Sequence, residues 1–258
     1  MDLGLAGLRV IVTAGAGGIG LVTARTFLAE GAKVHVCDVD EAALARLGET
    51  APGATGAYCD VSDRAGVARF MTEAVSRLGG LDCLVNNAGI AGPTGRVDEI
   101  EPADWDRCLA ICLTGQFNVA RLAIPHLKQS ANASIANLSS AAGKFGFALR
   151  SPYAAAKWGV VGFTKTLAIE LGASGIRCNA VLPGPVDGER IRQVIDAKAR
   201  AANISFDDMK GRMLANQSIK ELIDPQGIAD QIVFLASKRA RTISGQTLSV
   251  DGDMQCTA

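Results

Sequence analysis

Histidine is nearly missing from this chain: His35 and His126 are the only two in 258 residues. Neither sits in a cluster of acidic residues, so a histidine-based metal centre is not expected, and no metal is assigned. The seven cysteines, at positions 37, 59, 83, 108, 112, 178 and 256, form no CxxC pair. That excludes the usual zinc and dithiol redox spacings, and their apolar surroundings predict buried free thiols. Cys108 and Cys112 share a helix face at i, i+4 but have no histidine or acidic partners. Charge bias is absent as well, with 26 basic against 26 acidic side chains, so nothing favours nucleic acid or an anionic membrane as a partner. The opening MDLGLAGLRVIV lacks the basic stretch and sustained apolar run of a signal peptide, and no later apolar stretch reaches the ~18 residues of a membrane span. The expectation is a cytoplasmic protein with no membrane partner. Repeats, charge blocks and low-complexity tracts are missing too.

What is present is 48% hydrophobic residues, enough to bury a sizeable core, and the length suits one α/β domain over 1–258. Short apolar, β-branched runs at Leu8–Thr13, Lys33–Asp38, Gly56–Asp60, Leu81–Asn86, Ser134–Ser139, Ile176–Leu182 and Thr247–Val250 are the strand candidates. Helical periodicity fills the intervals at Gly18–Glu30, Glu41–Gly48, Asp63–Leu78, Pro102–Lys128, Pro152–Leu171 and Pro225–Ser237. Such alternation predicts a seven-stranded parallel sheet with helices on both faces, whose ligands bind beyond the carboxyl ends of the strands. The stretch 188–224 breaks the rhythm, has one helical segment near Ile191–Ala202, and reads as a helical lid over the substrate.

After the first strand comes TAGAGGIG, residues 13–20. Thr13, Gly15, Gly18, Ile19 and Gly20 make a turn that lets backbone approach a pyrophosphate, while the following helix offers its first N–H groups. The literal glycine pattern is weak alone, and its place between strand and helix strengthens it. About twenty residues on, Asp38 ends the second strand, where a carboxylate can accept from ribose hydroxyls and repel a 2′-phosphate. With no basic side chain at Val39 or Gly17, the cofactor expected is NAD. The plain alternative for Asp38 is a cap on the next helix.

Tyr153 and Lys157 lie four apart in SPYAAAKWGVV, on one face of a helix beginning near Pro152, and Ser140 ends the IANLSS strand. This ordered set, with the glycine turn, NNAG at 86–89, LPGP at 182–185 and VDGD at 250–253, resembles the short-chain dehydrogenase/reductase family over essentially the whole chain. The resemblance implies a single Rossmann-like, doubly wound domain in which Tyr153 exchanges a proton with the substrate oxygen while a hydride passes to or from nicotinamide. It also implies that Lys157 bonds the nicotinamide ribose and that Ser140 orients the reacting oxygen. A free phenol ionises near pH ~10, so such chemistry needs neighbouring positive charge, which Lys157 and the oxidised nicotinamide provide. By the same resemblance Asp60 and Val61 flank the adenine, Asn87, Ala88 and Gly89 line the cofactor, and Pro183, Gly184 and Val186 cover the nicotinamide. Asn86 is expected to support the turn.

Three positions depart from the family pattern. Cys112 stands where an asparagine normally precedes Leu-Thr-Gly; that asparagine helps connect the lysine to solvent through water, and a thiol is the weaker hydrogen-bonding group. Ala14 occupies the usual place of the first loop glycine, which is tolerable if φ there is negative. Gly188 replaces a hydroxyl residue. The resemblance implies a secondary alcohol or its ketone as small-molecule substrate, with oxidation the expected direction. Lys144, Phe147 and Arg150 near the catalytic pair, with Glu189, Arg190 and Arg192 in the lid, suggest a small polar or anionic substrate such as a sugar or hydroxy acid; the plain alternative is solvated basic residues. A 3-oxoacyl thioester reductase and a non-catalytic dinucleotide-binding module are the rival readings. A homo-oligomer, tetramer or dimer, is expected through the long helices at Pro102–Lys128 and Pro152–Leu171.

Overall fold

The computed structural model describes residues 2–256, with the side chains of residues 190, 197, 198 and 201 outside the description. Seven strands form one sheet: β1 (Arg9–Thr13), β2 (Lys33–Asp38), β3 (Thr55–Tyr58), β4 (Cys83–Asn86), β5 (Ser134–Leu138), β6 (Arg177–Pro183) and β7 (Thr247–Val250). Their order is β3-β2-β1-β4-β5-β6-β7, with every neighbouring pair parallel. Each return therefore crosses over through helices. These are α1 (Gly18–Ala29), α2 (Glu41–Ala45), α3 (Leu47–Thr50), α4 (Arg64–Leu78), α5 (Pro102–Leu109), α6 (Gly115–Leu127), α7 (Ser151–Gly172), α8 (Glu189–Ala202), α9 (Phe206–Leu214) and α10 (Pro225–Ala236). The order reverses between β1 and β4, which opens a crevice at the carboxyl ends of those strands.

Alternation along the strands builds the two layers. Val10 and Val12 face α1 and α10, where Phe27, Ile228 and Ile232 are wholly buried. Ile11, between them, faces the opposite layer with Phe70, Leu84, Leu127 and Ile176. Each such side chain taken out of water contributes about 1.5–3 kcal/mol, so the sheet's position is heavily overdetermined. Local signals set the helix ends: Asp63 accepts from Ala65 N–H to start α4, and Gly79, at φ +74°, stops it in a left-handed conformation.

The structure revises the expected elements at four places. The Pro102–Lys128 helix is one run with a single π turn, Ala110–Thr114, between α5 and α6. That run is long and apolar enough to cross a membrane, but one side of it packs against α4 and α7. The segment at Glu41–Gly48 divides into α2 and α3. Residues 188–224 hold two helices where one was expected, α8 and α9, separated by Asn203 at φ +50°. Of the cysteines, six are buried and Cys256 is exposed, correcting the uniform expectation.

Candidate active site

The turn after β1 carries its anion-binding geometry in the backbone. α1 begins with Gly17 as its cap, no side chain capping it and no acidic residue in its first turn, so the first N–H groups of Gly18, Ile19 and Gly20 are directed at the crevice. A Cβ at Gly17 or Gly18 would meet nothing within 4 Å, which leaves room for phosphates, whereas one at Gly20 would sit 2.1 Å from the Ala14 carbonyl oxygen. Gly15 is held just as tightly, its hypothetical Cβ 2.6 Å from Val36. Ala14 adopts φ +49°, contrary to the negative φ on which its tolerance was premised. The methyl group is accommodated at a local conformational cost of about 1–2 kcal/mol.

Asp38 ends β2 next to the glycine turn. Its Oδ2 accepts from Ala16 N–H at 3.0 Å and its Oδ1 from Val39 N–H at 2.8 Å, which fixes the carboxylate beside the glycine turn. It is not the cap of the next helix; Asp40 does that, accepting from Ala43 N–H. Asp60 accepts from both the N–H and the hydroxyl of Ser62, and Val61 is buried where a Cβ at Gly115 would strike it at 2.5 Å.

Thr13 joins β1 to the segment after β4. Its Oγ1 accepts from the N–H groups of Asn87 and Ala88, both at 2.9 Å, while Asn87 Nδ2 donates to the carbonyls of Thr13 and Ala14. Asn86 bonds Asn137 on β5 at 2.9 Å, so it supports the strand end rather than facing the crevice. Gly89 is exposed and lies between two groups: its hypothetical Cβ would be 3.4 Å from Lys157 Nζ and 3.6 Å from Cys112 Sγ.

α7 presents Tyr153 and Lys157 on one face, with Lys157 Nζ 5.6 Å from the centre of the Tyr153 ring. Lys157 is buried, and its ammonium donates to the Leu138 carbonyl at 2.9 Å, leaving two N–H donors for other partners. Ser140 follows β5, and its hydroxyl caps the short turn Ala141–Gly143 by accepting from Ala142 N–H. That turn lies directly on α7: a Cβ at Gly143 would be 2.7 Å from the Lys157 carbonyl oxygen. Ser139 donates to the same carbonyl at 2.8 Å.

Cys112 lies in the π turn, fully buried. Its thiol accepts from Ile90 N–H at 3.3 Å and donates to the Ile90 carbonyl at 3.4 Å. Weak as sulfur is, it serves both backbone groups of the residue after Gly89. Cys108 packs one turn earlier, and its thiol is driven well above the ordinary range by a hydrogen bond to Cys112 and by burial, so it stays protonated.

The candidate substrate residues separate. Arg150 stands beside Tyr153, its guanidinium carbon 5.3 Å from that ring and 5.4 Å from the Phe147 ring, with Nη2 donating to the Ala91 carbonyl. It follows Leu149, at φ +62°. Lys144 instead faces the buried carboxylate of Asp251 at 3.6 Å. Asp251 backs the Pro183–Gly184 turn, where Gly184 N–H donates to Val250, and Val186 bridges to Ile223. Glu189 accepts from Gln193 on its own helix; with Asp187, Arg192 and Leu222 it lines a cleft of about 580 Å³ at the start of α8. Arg192 holds Asp187 through two hydrogen bonds, both 3.0 Å. Arg190 lies outside the described side chains. No motif flagged Gln116, yet it is buried and donates to Leu138 O, the acceptor that Lys157 uses.

A family profile described as Enoyl-(Acyl carrier protein) reductase matches residues 14–255. The chain is 39% identical over 94% of its length to a cis-4-hydroxycyclohexanecarboxylate dehydrogenase of Sinomonas cyclohexanicum, covering 94% of that protein. It is 35% identical to a D-beta-hydroxybutyrate dehydrogenase of Cupriavidus necator, over 96% of this chain and 98% of the relative. The chain belongs to the short-chain dehydrogenase/reductase family. Among solved structures, an actinorhodin polyketide ketoreductase with NADPH superposes with a TM-score of 0.87 at 33% identity, over 94% of this chain and 95% of that one. As a short-chain dehydrogenase/reductase the protein is an oxidoreductase that interconverts a secondary alcohol and a ketone with a nicotinamide dinucleotide.

Proposed function

We propose that this enzyme oxidises a small secondary alcohol bearing an anionic group, a hydroxy acid, with NAD as hydride acceptor and Ser140, Tyr153 and Lys157 as its catalytic residues. The reading rests on one observation above others: Arg150 places a guanidinium 5.3 Å from the ring of Tyr153, at the end of α7 where a substrate must bring its hydroxyl. A fixed cation there favours a substrate whose far end is a carboxylate. The two relatives named above, by their names, both act on hydroxy carboxylates, which supports the same class.

The crevice fits a dinucleotide. Gly18, Ile19 and Gly20 direct N–H groups at a pyrophosphate, and Gly15 allows the turn its tightness. Asn87, Ala88 and Gly89 line one wall, Pro183, Gly184 and Val186 the other, and Asp60 with Val61 flanks the adenine. NAD rather than NADP follows from Asp38, whose carboxylate is held beside the turn where a 2′-phosphate would lie, and from Val39, which is 56% exposed and carries no charge. The bound nicotinamide supplies the hydride acceptor. Ser140 orients the substrate hydroxyl, Tyr153 as phenolate takes the hydroxyl proton while the carbon loses hydride and so becomes the neutral phenol, and the Lys157 ammonium favours the phenolate from which the step starts. Glu189 and Arg190 start α8, which with α9 serves as a lid. Lys144 reaches the site indirectly, by tethering the Ser140 turn to Asp251.

We read the molecule as a single domain of a cytoplasmic homo-oligomer, its contact built on the outer faces of α6 and α7, where Phe117 is 43% and Ile169 84% exposed. The test is steady-state kinetics over hydroxy acids and matched neutral alcohols with NAD and with NADP. Tyr153→Phe should lower kcat by at least about a hundredfold while NADH still binds. Equal kcat/KM for charged and neutral substrates would refute the hydroxy-acid assignment, and preference for NADP would refute the role given to Asp38.

A further inference from the structure

We propose that Gln116 is a positioning residue for Lys157, acting through the Leu138 carbonyl that both side chains share. Gln116 is the second residue of α6, just after the π turn, and is 2% exposed. Its Nε2 donates to Leu138 O at 3.1 Å, and Lys157 Nζ donates to the same oxygen at 2.9 Å. A carbonyl oxygen has two lone-pair sites, and here each takes one donor. The amide therefore fixes the direction in which the oxygen faces the ammonium and limits how much of its acceptor strength the ammonium can draw.

The rest of the lysine's surroundings make that carbonyl decisive. Ser139, the next residue, donates to the Lys157 backbone carbonyl at 2.8 Å, so residues 138 and 139 grip Lys157 at both ends. Only the side-chain end is adjustable. Without Gln116, Leu138 O is free to turn toward Lys157 and hold the ammonium more firmly on the strand, away from the ribose and the Tyr153 oxygen. The π turn makes this arrangement feasible. It puts Cys112 and Gln116 of one helical run on two neighbouring strand ends, Cys112 on Ile90 after β4 and Gln116 on Leu138 at the end of β5. An amide is thus supplied to the lysine's neighbourhood four residues downstream of the cysteine that replaces the family's asparagine.

This inference rests on the catalytic reading of Lys157 proposed above. The decisive variant is Gln116→Met, which keeps length and apolar bulk and removes the donor. The expected result is a fall in kcat of about tenfold, with the NADH dissociation constant within twofold of the wild type. A crystal structure of the same variant with NADH should show Lys157 Nζ moved relative to its wild-type position. An unchanged kcat, a loss of kcat matched by an equal loss of NADH affinity, or an unmoved Nζ each overturns the proposal. If Gln116→Met does not fold, Gln116→Glu replaces it: its carboxylate should capture Lys157 and lower kcat further, and retained turnover would be equally fatal. A wild-type enzyme that turned over no alcohol would refute the catalytic reading instead, and the Nζ position would still decide the role of Gln116.

Discussion

Replacing Cys112 with alanine tests how the site tolerates its departure from the family pattern. The thiol exchanges two hydrogen bonds with Ile90, at 3.3 and 3.4 Å, and packs against Cys108 and Ala156 in a small buried cluster. Each sulfur hydrogen bond contributes at the low end of the usual range, about 0.5 kcal/mol, and stripping partners from the half-buried Ile90 backbone adds roughly 1 kcal/mol. Losing the buried sulfur leaves a small cavity worth about another 1 kcal/mol. Cys112→Ala should therefore destabilise the fold by about 3 kcal/mol, which for a chain of this size lowers Tm by about 6 °C. Because Ile90 follows Gly89, which the proposed function puts on the cofactor wall, NADH affinity should fall about threefold to tenfold in the same variant. Cys112→Ser restores donor and acceptor, but an oxygen needs about 2.8 Å where sulfur spans 3.3 Å or more, so it should recover about half of each loss. Differential scanning calorimetry and NADH fluorescence titration measure both. If alanine and serine behave alike and NADH affinity does not move, the thiol is mere packing and the anchoring role is refuted.

Ala14→Gly should stabilise the protein by about 0.5–1 kcal/mol, since relief of the strain at φ +49° exceeds the extra entropy glycine brings to the unfolded chain; a lower Tm would contradict the conformational assignment. His35 is wholly buried, bonded to Thr55 at 2.7 Å, with its pKa lowered to about 4, chiefly by burial. A depressed folded value below an unfolded ~6.5 means the stabilisation is complete above about pH 6.5 and disappears as pH falls through about 4. Chemical denaturation should show this group withdrawing on the order of 2 kcal/mol across that window. His35→Gln should flatten that slope, and an unchanged slope would exclude His35 as its source.

Much of the fold was legible because its signals are local and repeated. Apolar β-branched runs alternate with amphipathic helices, and capping residues such as Asp63 and Gly79 mark the ends. The Tyr153 and Lys157 spacing needed only helical geometry to put both on one face. Other features were less accessible. α9 has a readable start, with Ser205 accepting from Asp208 N–H and donating to its carboxylate, but it lies in a polar stretch with too little apolar periodicity to announce a helix. The π turn inserts no distinctive residue, so an unbroken helix was the natural expectation. The positive φ of Ala14 is imposed from outside, by Asn87 Nδ2 on its carbonyl and by the close approach of Gly20. Gln116 has a role only because β5 ends beside it, a fact of tertiary structure.

The departures at Ala14 and Cys112 share a physical reason for being tolerated. At the carboxyl ends of β1, β4 and β5 most connections run between side chains and backbone groups: Thr13 to the N–H groups of Asn87 and Ala88, Asn87 to the Thr13 and Ala14 carbonyls, Cys112 to Ile90, Lys157 and Gln116 to Leu138. A backbone group does not change identity when sequence drifts, so any side chain of adequate reach and polarity can meet it. Cys112 satisfies that requirement at Ile90 although it is not an amide. At Ala14 the requirement falls on the carbonyl, which still receives Asn87 at 3.0 Å, and the added methyl group costs conformational energy without moving the acceptor. In the proposed mechanism Tyr153 has no such latitude, because there its hydroxyl must itself meet the substrate. Substitutions along the supporting backbone contacts should therefore change stability and kcat by modest factors, whereas removing the phenol oxygen should end turnover.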